Sequence, residues 1–359
     1  MKVLVVAVSA RMLAQLAVAD GYRVTALDRF GDVDLRAIAP GATAPSNDEL
    51  AALAAGVRTD AVVYGGGLEN RPDLVARLRD GRELLGTPPE LLAAIRDPWA
   101  VGAAARAAGA RAPETRPFGN PLPQTGNWLR KPMRGGGGRG IQRWAGEDAI
   151  PGEILQRRID GLSCSAVAIG DGRRATVLGL TEQLHRHPGF RWKGNVTPPR
   201  LPETQLDELD GRLRAVCAEV ASRFGVCGAF GVDAVWDGYD AWVLEVNPRP
   251  PASLELFGTG SFEAHVRGSR GLGVPVAGTP PATPSARAKV VLFAHRDLRA
   301  PAPDWWPPGL ARDIPRAGEA IRRGAPVCTL ISATADARQL DARGERLLAA
   351  LADAVPARG

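Results

Sequence analysis

Cysteine is scarce in this 359-residue sequence, and the four cysteines lack the CxxC spacing of a metal or redox motif. Cys164, Cys217, Cys227 and Cys328 are scattered, which favours neither a disulfide framework nor a zinc site. No stretch reaches the roughly 18 apolar residues of a membrane span. The start, MKVLVVAVSA, is typical of a buried strand rather than of a signal peptide. These features together predict a cytoplasmic protein.

Aromatic side chains are also few, at 5% of the sequence with three tyrosines and eight phenylalanines. The net charge is +6, but the basic residues are spread along the whole chain rather than gathered in a tail. Nucleic-acid binding is therefore not predicted, since it needs stacking platforms and a basic patch. A positive balance of this kind also suits small anionic ligands such as nucleotides.

The first hundred residues alternate between strand and helix patterns. Strands are predicted at 3–8, 23–27 and 61–64, and a helix capped by Ser9 is predicted to run to about Asp20. The pattern predicts a parallel, Rossmann-like sheet. VSARMLA, after the first strand, lacks the glycine triplet of a dinucleotide site, which argues against a dehydrogenase.

From Trp128 the pattern changes to short strands separated by glycine turns, which predicts antiparallel sheet. A helix is predicted from about Leu206 to Phe224, followed by a hairpin with its turn at Asp237 and Gly238. The proline-rich and glycine-rich stretch at 271–284 is typical of a linker. A small α/β unit, with a helix from about 335 to 355, is predicted after it.

The segment 135–140, GGGGRG, lies between two predicted strands, so it has no following helix to receive a pyrophosphate. It is either a solvent-exposed turn or a flexible hairpin tip whose N–H groups close over phosphate oxygens. Lys131 stands four residues before it and is one of only four lysines, with all other basic residues arginine. A compact ammonium at this position favours the phosphate interpretation.

A second polar constellation follows in the predicted hairpin. Glu245, Asn247 and Arg249 alternate along one strand and so share a face, and Asp233 stands in the preceding strand. We expect Leu244 and Val246 to point into the core. Two carboxylates and an amide oxygen are ligands that Mg²⁺ accepts, although a solvated polar face would show the same alternation.

The order LLGTPPELLAAIRDPWAVGAAARAAGARAPET, WLRKPMRGGGGRGI, EILQRRIDG and FGVDAVWDGYDAWVLEVNPRP resembles the ATP-grasp superfamily from about residue 84 to 255. The resemblance implies α/β and α+β architecture. Its parts are a Rossmann-like pre-ATP-grasp domain at 1–105, an ATP-grasp domain at 106–270 with lobes 106–155 and 156–270, and a C-terminal α/β extension at 285–359. Three segments, GGLEN at 66–70, WLRKP and the carboxy-terminal DIPRAGEAIRRGAPVCTL, further resemble a subgroup described as predicted ATP-dependent carboligases, some associated with one-carbon coenzyme metabolism.

The resemblance also implies a role for each matched residue. The cofactors are expected to be ATP and Mg²⁺, with phosphates near the glycine loop, adenine at a hinge strand, and metal at the hairpin. The implied residues are Lys131 and Arg249 for catalysis, Lys131, Gly135, Gly136, Gly137, Gly138, Gly140, Gln156, Arg157, Arg158, Ile159 and Ser163 for the nucleotide, and Asp233, Glu245 and Asn247 for the metal.

Two positions depart from the family pattern. Pro98 stands where the family often has a second phosphate-binding lysine, and Arg96 is a candidate substitute. Ser163 stands where a ribose-binding glutamate is expected. Of the remaining polar residues, His185 and His187 are interpreted as ordinary loop residues, and Gln183 and Lys193 as candidates for the substrate end of the cleft.

The resemblance implies an ADP-forming ligase that activates a carboxylate as an acyl phosphate and joins it to an amine. Its partners are expected to be small-molecule carboxylate and amine substrates, with no membrane and a possible homodimer. An ATP-binding regulatory module and a small-molecule kinase remain alternatives, because the same fold carries both.

Overall fold

The structure is a computed structural model that describes residues 1–117, 126–146, 150–273, 286–334 and 336–354. Two predictions lie partly outside the described residues. They are the linker at 271–284, most of which is not described, and the last helix, whose predicted end residues 335 and 355 are not described. None of the helices in these ranges combines the length and apolar character needed to cross a membrane.

The amino-terminal unit is a five-stranded parallel sheet with the order β3-β2-β1-β4-β5. Its first strand pairs with the second and the fourth, and it is an apolar run buried on both faces, as a sheet covered by helices requires. The strands are β1 Lys2–Val6, β2 Arg23–Asp28, β3 Gly41–Thr43, β4 Ala61–Tyr64 and β5 Glu83–Leu85. The helices are α1 Arg11–Ala19, α2 Val33–Ile38, α3 Asn47–Ala55, α4 Pro72–Arg79, α5 Pro89–Ile95 and α6 Pro98–Ala107.

The helices α6 and α1 begin in different ways. Asp97 caps α6, and its carboxylate accepts from the N–H groups of Trp99 and Ala100. The prediction that Ser9 caps α1 is wrong, because the helix begins at Arg11 with Ala10 at the cap position and no side-chain cap. A buried Arg11 side chain, bonded to Asp313, belongs to that first turn instead.

A four-stranded antiparallel sheet follows, with the order β6-β9-β7-β8. Strands β7 and β8 form a hairpin around the glycine-rich segment, as expected, although β8 has only two residues. The strands are β6 Thr115–Pro117, β7 Trp128–Pro132, β8 Gln142–Arg143 and β9 Glu153–Arg157. The predicted hinge strand therefore ends at Arg157, before Arg158 and Ile159.

The third sheet has eight strands in the order β14-β13-β10-β11-β12-β15-β19-β17, and a two-stranded sheet joins β16 to β18. The strands are β10 Leu162–Asp171, β11 Ala175–His185, β12 Trp192–Thr197, β13 Cys227–Trp236, β14 Ala241–Asn247, β15 Arg287–Phe293, β16 Leu298–Arg299, β17 Ala311–Arg312, β18 Ala320–Ile321 and β19 Pro326–Ser332. The helices are α7 Glu203–Phe224, α8 Ser261–Ser269 and α9 Ala337–Ala354.

Hydrogen bonding in this sheet continues past the predicted end of the ATP-grasp domain. Strand β15, which belongs to the predicted C-terminal extension, pairs with β12 from Gly194↔Val290 to Thr197↔Arg287. The division at 105, 270 and 285 therefore stays a prediction, with a continuous sheet across its last boundary.

One hydrophobic core cluster joins the amino-terminal unit to the eight-stranded sheet. It contains Val3 and Val5 of β1, Ile169 of β10 and Phe262 of α8, all buried. Apolar packing of this extent holds the amino-terminal unit against the large sheet. The loop after β4 is thereby brought next to β14, where the polar residues of the hairpin lie.

Candidate functional site

The acidic residues of the β13-β14 hairpin lie side by side. Asp233 pairs with Glu245 in register, and the Nδ2 atom of Asn247 donates to Oδ2 of Asp233 over 3.0 Å and to Oε1 of Glu245 over 3.4 Å. Gln183 of β11 donates from Nε2 to Oδ1 of Asp233 over 2.9 Å. The structure thus brings together the three residues predicted to bind metal.

The two carboxylates of this hairpin differ in protonation. Burial, and then repulsion from Glu245, raise the pKa of Asp233 to about 7. Burial alone would also raise the pKa of Glu245, but the positive charges of Arg96 and Lys131 outweigh it and lower that pKa. Glu245 is therefore the ionised member of the pair, and a cation would allow Asp233 to ionise as well.

Val246 is buried in the core as expected, but Leu244 is not. The register shifts between Asp233 and Ala234, so that Asp233 faces Glu245 while Ala234 faces Val243. Leu244 is the extra residue of this bulge and is half-buried, lining a cavity together with Glu245. A bulge changes the direction in which the neighbouring side chains point. Simple alternation along one strand does not predict this change.

Lys131 of β7 faces the same cavity, which is also lined by Arg96, Pro98, Leu244 and Glu245. The ammonium is nearly buried and donates from Nζ to Oε1 of Gln156 on β9 over 3.1 Å. The charge of Lys131 contributes to the low pKa of Glu245, so the two predicted halves of the site share one electrostatic environment. This arrangement joins the lysine to the hairpin across two sheets.

A cavity of about 510 Å³ lies elsewhere, lined by Leu162, Glu182, Arg200, Asp336 and Arg338. None of these residues carries a predicted role, and Glu182 and Arg200 already neutralise each other. The chemistry of the side chains, rather than cavity volume, therefore locates the candidate site.

The predicted hinge residues are partly engaged within the protein. The side chain of Gln156 is buried and also bonds Thr115, while the N–H groups of Arg157 and Arg158 donate to Glu114 O and Asn127 O. The structure places Arg158 in an ion pair with Asp160. Ile159 follows the strand, and Ser163 pairs with Val235 at the start of β10. The adenine and ribose roles of these residues remain predictions.

The glycine loop between β7 and β8 makes contacts at both ends. At its base, the carbonyl oxygen of Gly135 accepts from Nη2 of Arg96 over 2.9 Å and from Nδ2 of Asn70 over 3.3 Å. At its tip, the carbonyl oxygen of Gly137 accepts from the N–H of Trp192 over 3.0 Å. Gly138 has φ of +70° and lies so close to Phe190 O that a Cβ atom would stand only 1.9 Å away.

Arg249 follows the hairpin and is held by the loop after β4. Its Nε donates to Oε1 of Glu69 over 3.2 Å, and Oε2 of Glu69 accepts from the N–H of Gly67. The charge of Arg249 also lowers the pKa values of Asp233 and Glu245. Sequence reasoning gave Glu69 and Asn70 no role, although GGLEN was a signal that could have found them.

Arg96, proposed from sequence only as a substitute cation, lies between the hairpin and the glycine loop. Its Nη1 donates to Val246 O over 3.1 Å and to Oδ1 of Asn247 over 3.2 Å, and it stands 3.9 Å from Oε1 of Glu245. The guanidinium thus contacts both parts of the candidate site.

Of the other polar candidates, only Gln183 contacts the hairpin. Lys193 stands opposite no residue of β11, because of the register shift between Leu184 and His185, and pairs with Asp341 of α9 over 2.5 Å. Burial lowers the pKa of His185. The interpretation of Lys193 as a cleft residue is therefore not supported by its position.

The residues of the hairpin fit a magnesium ion. Carboxylate and amide oxygens are its preferred ligands. Burial and repulsion from Glu245 keep the pKa of Asp233 raised although Arg249 and Arg96 lower it, so a further cation beside the pair would be favourable. Within the described ranges, no group of three or more His, Cys, Asp or Glu side chains could hold a metal. A magnesium ion here would therefore draw the rest of its ligands from Asn247, water and phosphate oxygens, as is usual for this ion.

Comparison with known proteins identifies the family to which part of the chain is similar. A protein-family model described as the ATP-grasp domain matches residues 95–253. This range contains Arg96, Lys131, the glycine loop and the β13-β14 hairpin. The expected family resemblance and fold class are thus confirmed for this part of the chain.

Several solved structures share the architecture of the whole chain at low sequence identity. The N5-carboxyaminoimidazole ribonucleotide synthetase of Thermus thermophilus has a TM-score of 0.70 at 20% identity, with 98% of each chain covered. A second match is the biotin carboxylase domain dimer of Hydrogenobacter thermophilus 2-oxoglutarate carboxylase, in complex with MgADP, ADP and bicarbonate. Its TM-score is 0.68 at 14% sequence identity, and the match covers 91% of this chain and 85% of that one. Rhizobium etli pyruvate carboxylase has a TM-score of 0.74 at 16% sequence identity, and the match covers 96% of this chain but only 37% of that one.

Proposed function

Since the chain has the ATP-grasp fold and contains an ATP-grasp domain, we propose that it is an ADP-forming ligase, which activates a carboxylate with Mg-ATP and joins it to an amine. The observation that carries the proposal is the convergence of Lys131, Arg96 and Arg249 on the paired carboxylates Asp233 and Glu245. A site with several cations around a metal-binding acidic pair is built to handle polyphosphate.

In this proposal Asp233, Glu245 and Asn247 hold Mg²⁺. When bound, the ion neutralises charge on the phosphate oxygens and makes the terminal phosphorus easier to attack. Asp233 ionises fully once a cation faces it, because its raised pKa comes from burial and from repulsion by Glu245. Gln183 keeps Oδ1 of Asp233 bonded, which fixes the orientation of that carboxylate.

In this proposal the nucleotide is held by residues of β7, the glycine loop, β9 and the start of β10. Lys131 supplies an ammonium to the phosphates, and Gln156 keeps that ammonium in place. The glycine loop lays its N–H groups over the phosphates, since glycines permit close approach of backbone to ligand. Adenine and ribose lie towards β9 and β10, near Ile159 and Ser163.

The reaction proceeds in two transfers. A carboxylate oxygen attacks the terminal phosphorus, the bond from phosphorus to the ADP oxygen breaks, and an acyl phosphate forms. The amine nitrogen then attacks the acyl carbon, the bond to the phosphate oxygen breaks, and the amine proton leaves with phosphate or water. Arg249 stabilises charge on the transferred group, a role in which a cation supplies a factor of roughly 10³ or more.

The test measures ADP release from ATP in the presence of carboxylate and amine panels, separately and together. The panels contain amino acids, bicarbonate and precursors of pterin and furan coenzymes. The coenzyme precursors are included because we propose that the ligase acts in coenzyme biosynthesis. We expect ADP release that needs both substrates, and a hydroxamate when hydroxylamine replaces the amine. Formation of a phosphorylated alcohol would instead identify a kinase.

The second candidate is an ATP-binding module without chemistry. Pro98 and Ser163, which remove a lysine and a glutamate that the family pattern leads one to expect, favour it. The intact set of Glu245, Asn247 and Arg249 favours the enzyme. A module would bind Mg-ATP and raise the melting temperature, yet release no ADP with any substrate pair. Stabilisation by NAD instead of Mg-ATP would contradict both candidates.

We further propose that the protein is a cytoplasmic homodimer acting on small molecules. The dimer is supported by the biotin carboxylase domain of Hydrogenobacter thermophilus, whose structure is described as a dimer. Light scattering coupled to size-exclusion chromatography tests this: a mass near twice 37.8 kDa is expected. A mass of one chain at all concentrations tested would contradict it.

A further inference from the structure

Three arginines, which we call the arginine cluster, meet at the tip of the glycine loop. Arg139 belongs to the loop itself, and Arg186 and Arg191 stand at the two ends of the turn that joins β11 to β12. The N–H of Arg186 donates to the carbonyl oxygen of Arg191 over 2.8 Å, which closes this turn. A Cβ atom on Gly138 would stand 3.1 Å from the Cα of Arg191, so the loop tip lies directly against the turn.

One aromatic ring holds two of these side chains. The guanidinium carbon of Arg186 lies 4.7 Å from the centre of the Phe293 ring, and that of Arg191 lies 4.5 Å from it. Phe293 is buried, whereas both arginines are half-buried. Cation–π stacking at these distances orients a guanidinium while the N–H groups at its edge stay available to a ligand.

The positive charge of the arginine cluster is not balanced. In the part of the chain that the structure describes, none of its three guanidiniums pairs with a carboxylate, and Arg191 donates from Nη1 to the carbonyl oxygen of Gly324 over 3.0 Å. Burial, and then repulsion from Arg139 and Arg186, lower the pKa of Arg191. An anion bound among the three side chains would relieve this repulsion.

The arginine cluster lies within reach of a small molecule that also contacts the metal-binding hairpin. Gln183 of β11, whose Nε2 bonds Oδ1 of Asp233 over 2.9 Å, precedes Arg186 by three residues. At roughly 3.3 Å per residue of strand, this separation is about 10 Å. The opposite end of the glycine loop contacts Arg96 through Gly135 O, next to Lys131. An anion at the cluster is therefore assigned to a substrate rather than to the nucleotide.

We propose that the arginine cluster binds the anionic end of one of the two substrates, and that this substrate carries a phosphate group or at least two carboxylates. Guanidiniums recognise both groups, because each presents paired oxygens that match the planar fork. Three cations exceed the charge of one carboxylate, so a multiply charged substrate fits best. This inference rests on the proposed function, because it takes the reacting end of the same substrate to lie at the metal-binding hairpin.

The first experiment measures the binding of simple anions. Inorganic phosphate, glutarate and acetate are titrated calorimetrically into the protein in the presence of saturating Mg-ADP, and into the protein alone. We expect phosphate or glutarate to bind more tightly than acetate. Binding of phosphate alone identifies a phosphorylated substrate, and binding of glutarate alone identifies a polycarboxylate.

Three variants assign this binding to the arginine cluster. Arg186→Gln and Arg191→Gln each remove one guanidinium, and Arg173→Gln removes an exposed arginine from the turn at the opposite end of β11 as the matched control. We expect each of the first two variants to weaken the bound anion by about 10- to 100-fold, because a charge-assisted hydrogen bond is lost. Arg173→Gln should match the wild type.

The second experiment uses the substrate pair that releases ADP. In Arg186→Gln and Arg191→Gln, KM for the multiply charged substrate should rise by about tenfold or more, while KM for ATP changes by less than about threefold. An active pair in which neither substrate has a phosphate or two carboxylates would overturn the inference. If either variant does not fold by circular dichroism, the same measurements on Arg139→Gln decide, since Arg139 is exposed.

Failure of the proposed function has a different signature. Anion binding that depends on Arg186 and Arg191, without ADP release from any substrate pair, overturns the ligase and leaves the anion site standing. A working ligase whose anion affinity and KM values are unchanged in both variants overturns the inference alone, as does an equal loss in Arg173→Gln. A wild type that binds neither phosphate nor glutarate and releases no ADP overturns both.

Discussion

Arg249 and Glu69 are 180 residues apart in sequence, yet Nε of Arg249 donates to the buried Oε1 of Glu69 over 3.2 Å. The same carboxylate accepts from the N–H of Gly67 through its other oxygen. Glu69 thus joins the amino-terminal parallel sheet to the strand end that carries Asn247. The orientation of Arg249 therefore depends on the loop after β4, in which no metal or phosphate ligand was predicted.

Replacing Glu69 tests whether this contact orients Arg249. We expect Glu69→Ala to lower kcat by about 10- to 100-fold, because the guanidinium loses its charge-assisted bond, while Kd for Mg-ATP changes by less than about threefold. Glu69→Gln keeps an acceptor and should recover part of kcat. Initial-rate and binding measurements check this, with the exposed Glu208→Gln of α7 as control. Equal losses in kcat and affinity would point to a merely structural role.

Substitutions of Glu245 and Lys131 distinguish an enzyme from a module that only binds ATP. Glu245→Ala should abolish turnover yet keep much of the nucleotide affinity, which comes from adenine packing and Lys131. Lys131→Ala should weaken ATP and ADP together, and Lys131→Arg should not rescue fully, since a planar fork cannot occupy the site of a compact ammonium bonded to Gln156. ATP titration and initial rates on the three variants check this. Normal turnover in Glu245→Ala would remove the metal assignment.

The glycine loop offers a test of its docking contact. Gly138→Ala should lower kcat/KM for ATP by about tenfold or more, because φ of +70° disfavours a side chain and the new methyl group would collide with Phe190 O. Gly136→Ala, whose methyl group would contact nothing, should be the milder change. Steady-state kinetics on both variants measures the difference, and equal effects would contradict a specific docked conformation.

His265 should make stability depend on pH. Burial lowers its pKa to about 4, and its Nδ1 accepts from the N–H of Ala229 over 2.8 Å. The unfolded state, with a pKa near 6.5, then binds more protons than the folded state between about pH 6.5 and 4, so stability falls as pH falls through that window.

The size of this effect follows from the difference in pKa. Denaturant unfolding at pH 6.5 and 4 should show the wild type losing about 3 kcal/mol more than His265→Asn, which cannot titrate. Equal losses in the two proteins would indicate that His265 is protonated in the folded state.

Local patterns predicted several elements well. The apolar run of β1, the β7-β8 hairpin and the turn at Asp237 and Gly238 are set by residues close in sequence, and the structure contains all three. Alternation also placed Glu245 and Asn247 beside Asp233. It did not predict the bulge at Leu244, because a bulge depends on the partner strand.

The amino-acid sequence by itself determined the alternation of strand and helix at the start of the chain, the acidic hairpin and the glycine loop with its lysine. These depend on side-chain periodicity and on turn residues that act over a few positions. Only the tertiary structure decided that Glu69 holds Arg249 and that Arg96 spans from Gly135 to Asn247, because 151 residues separate Arg96 from Asn247. No local rule brings such positions together; the apolar core shared by the parallel sheet and the eight-stranded sheet does.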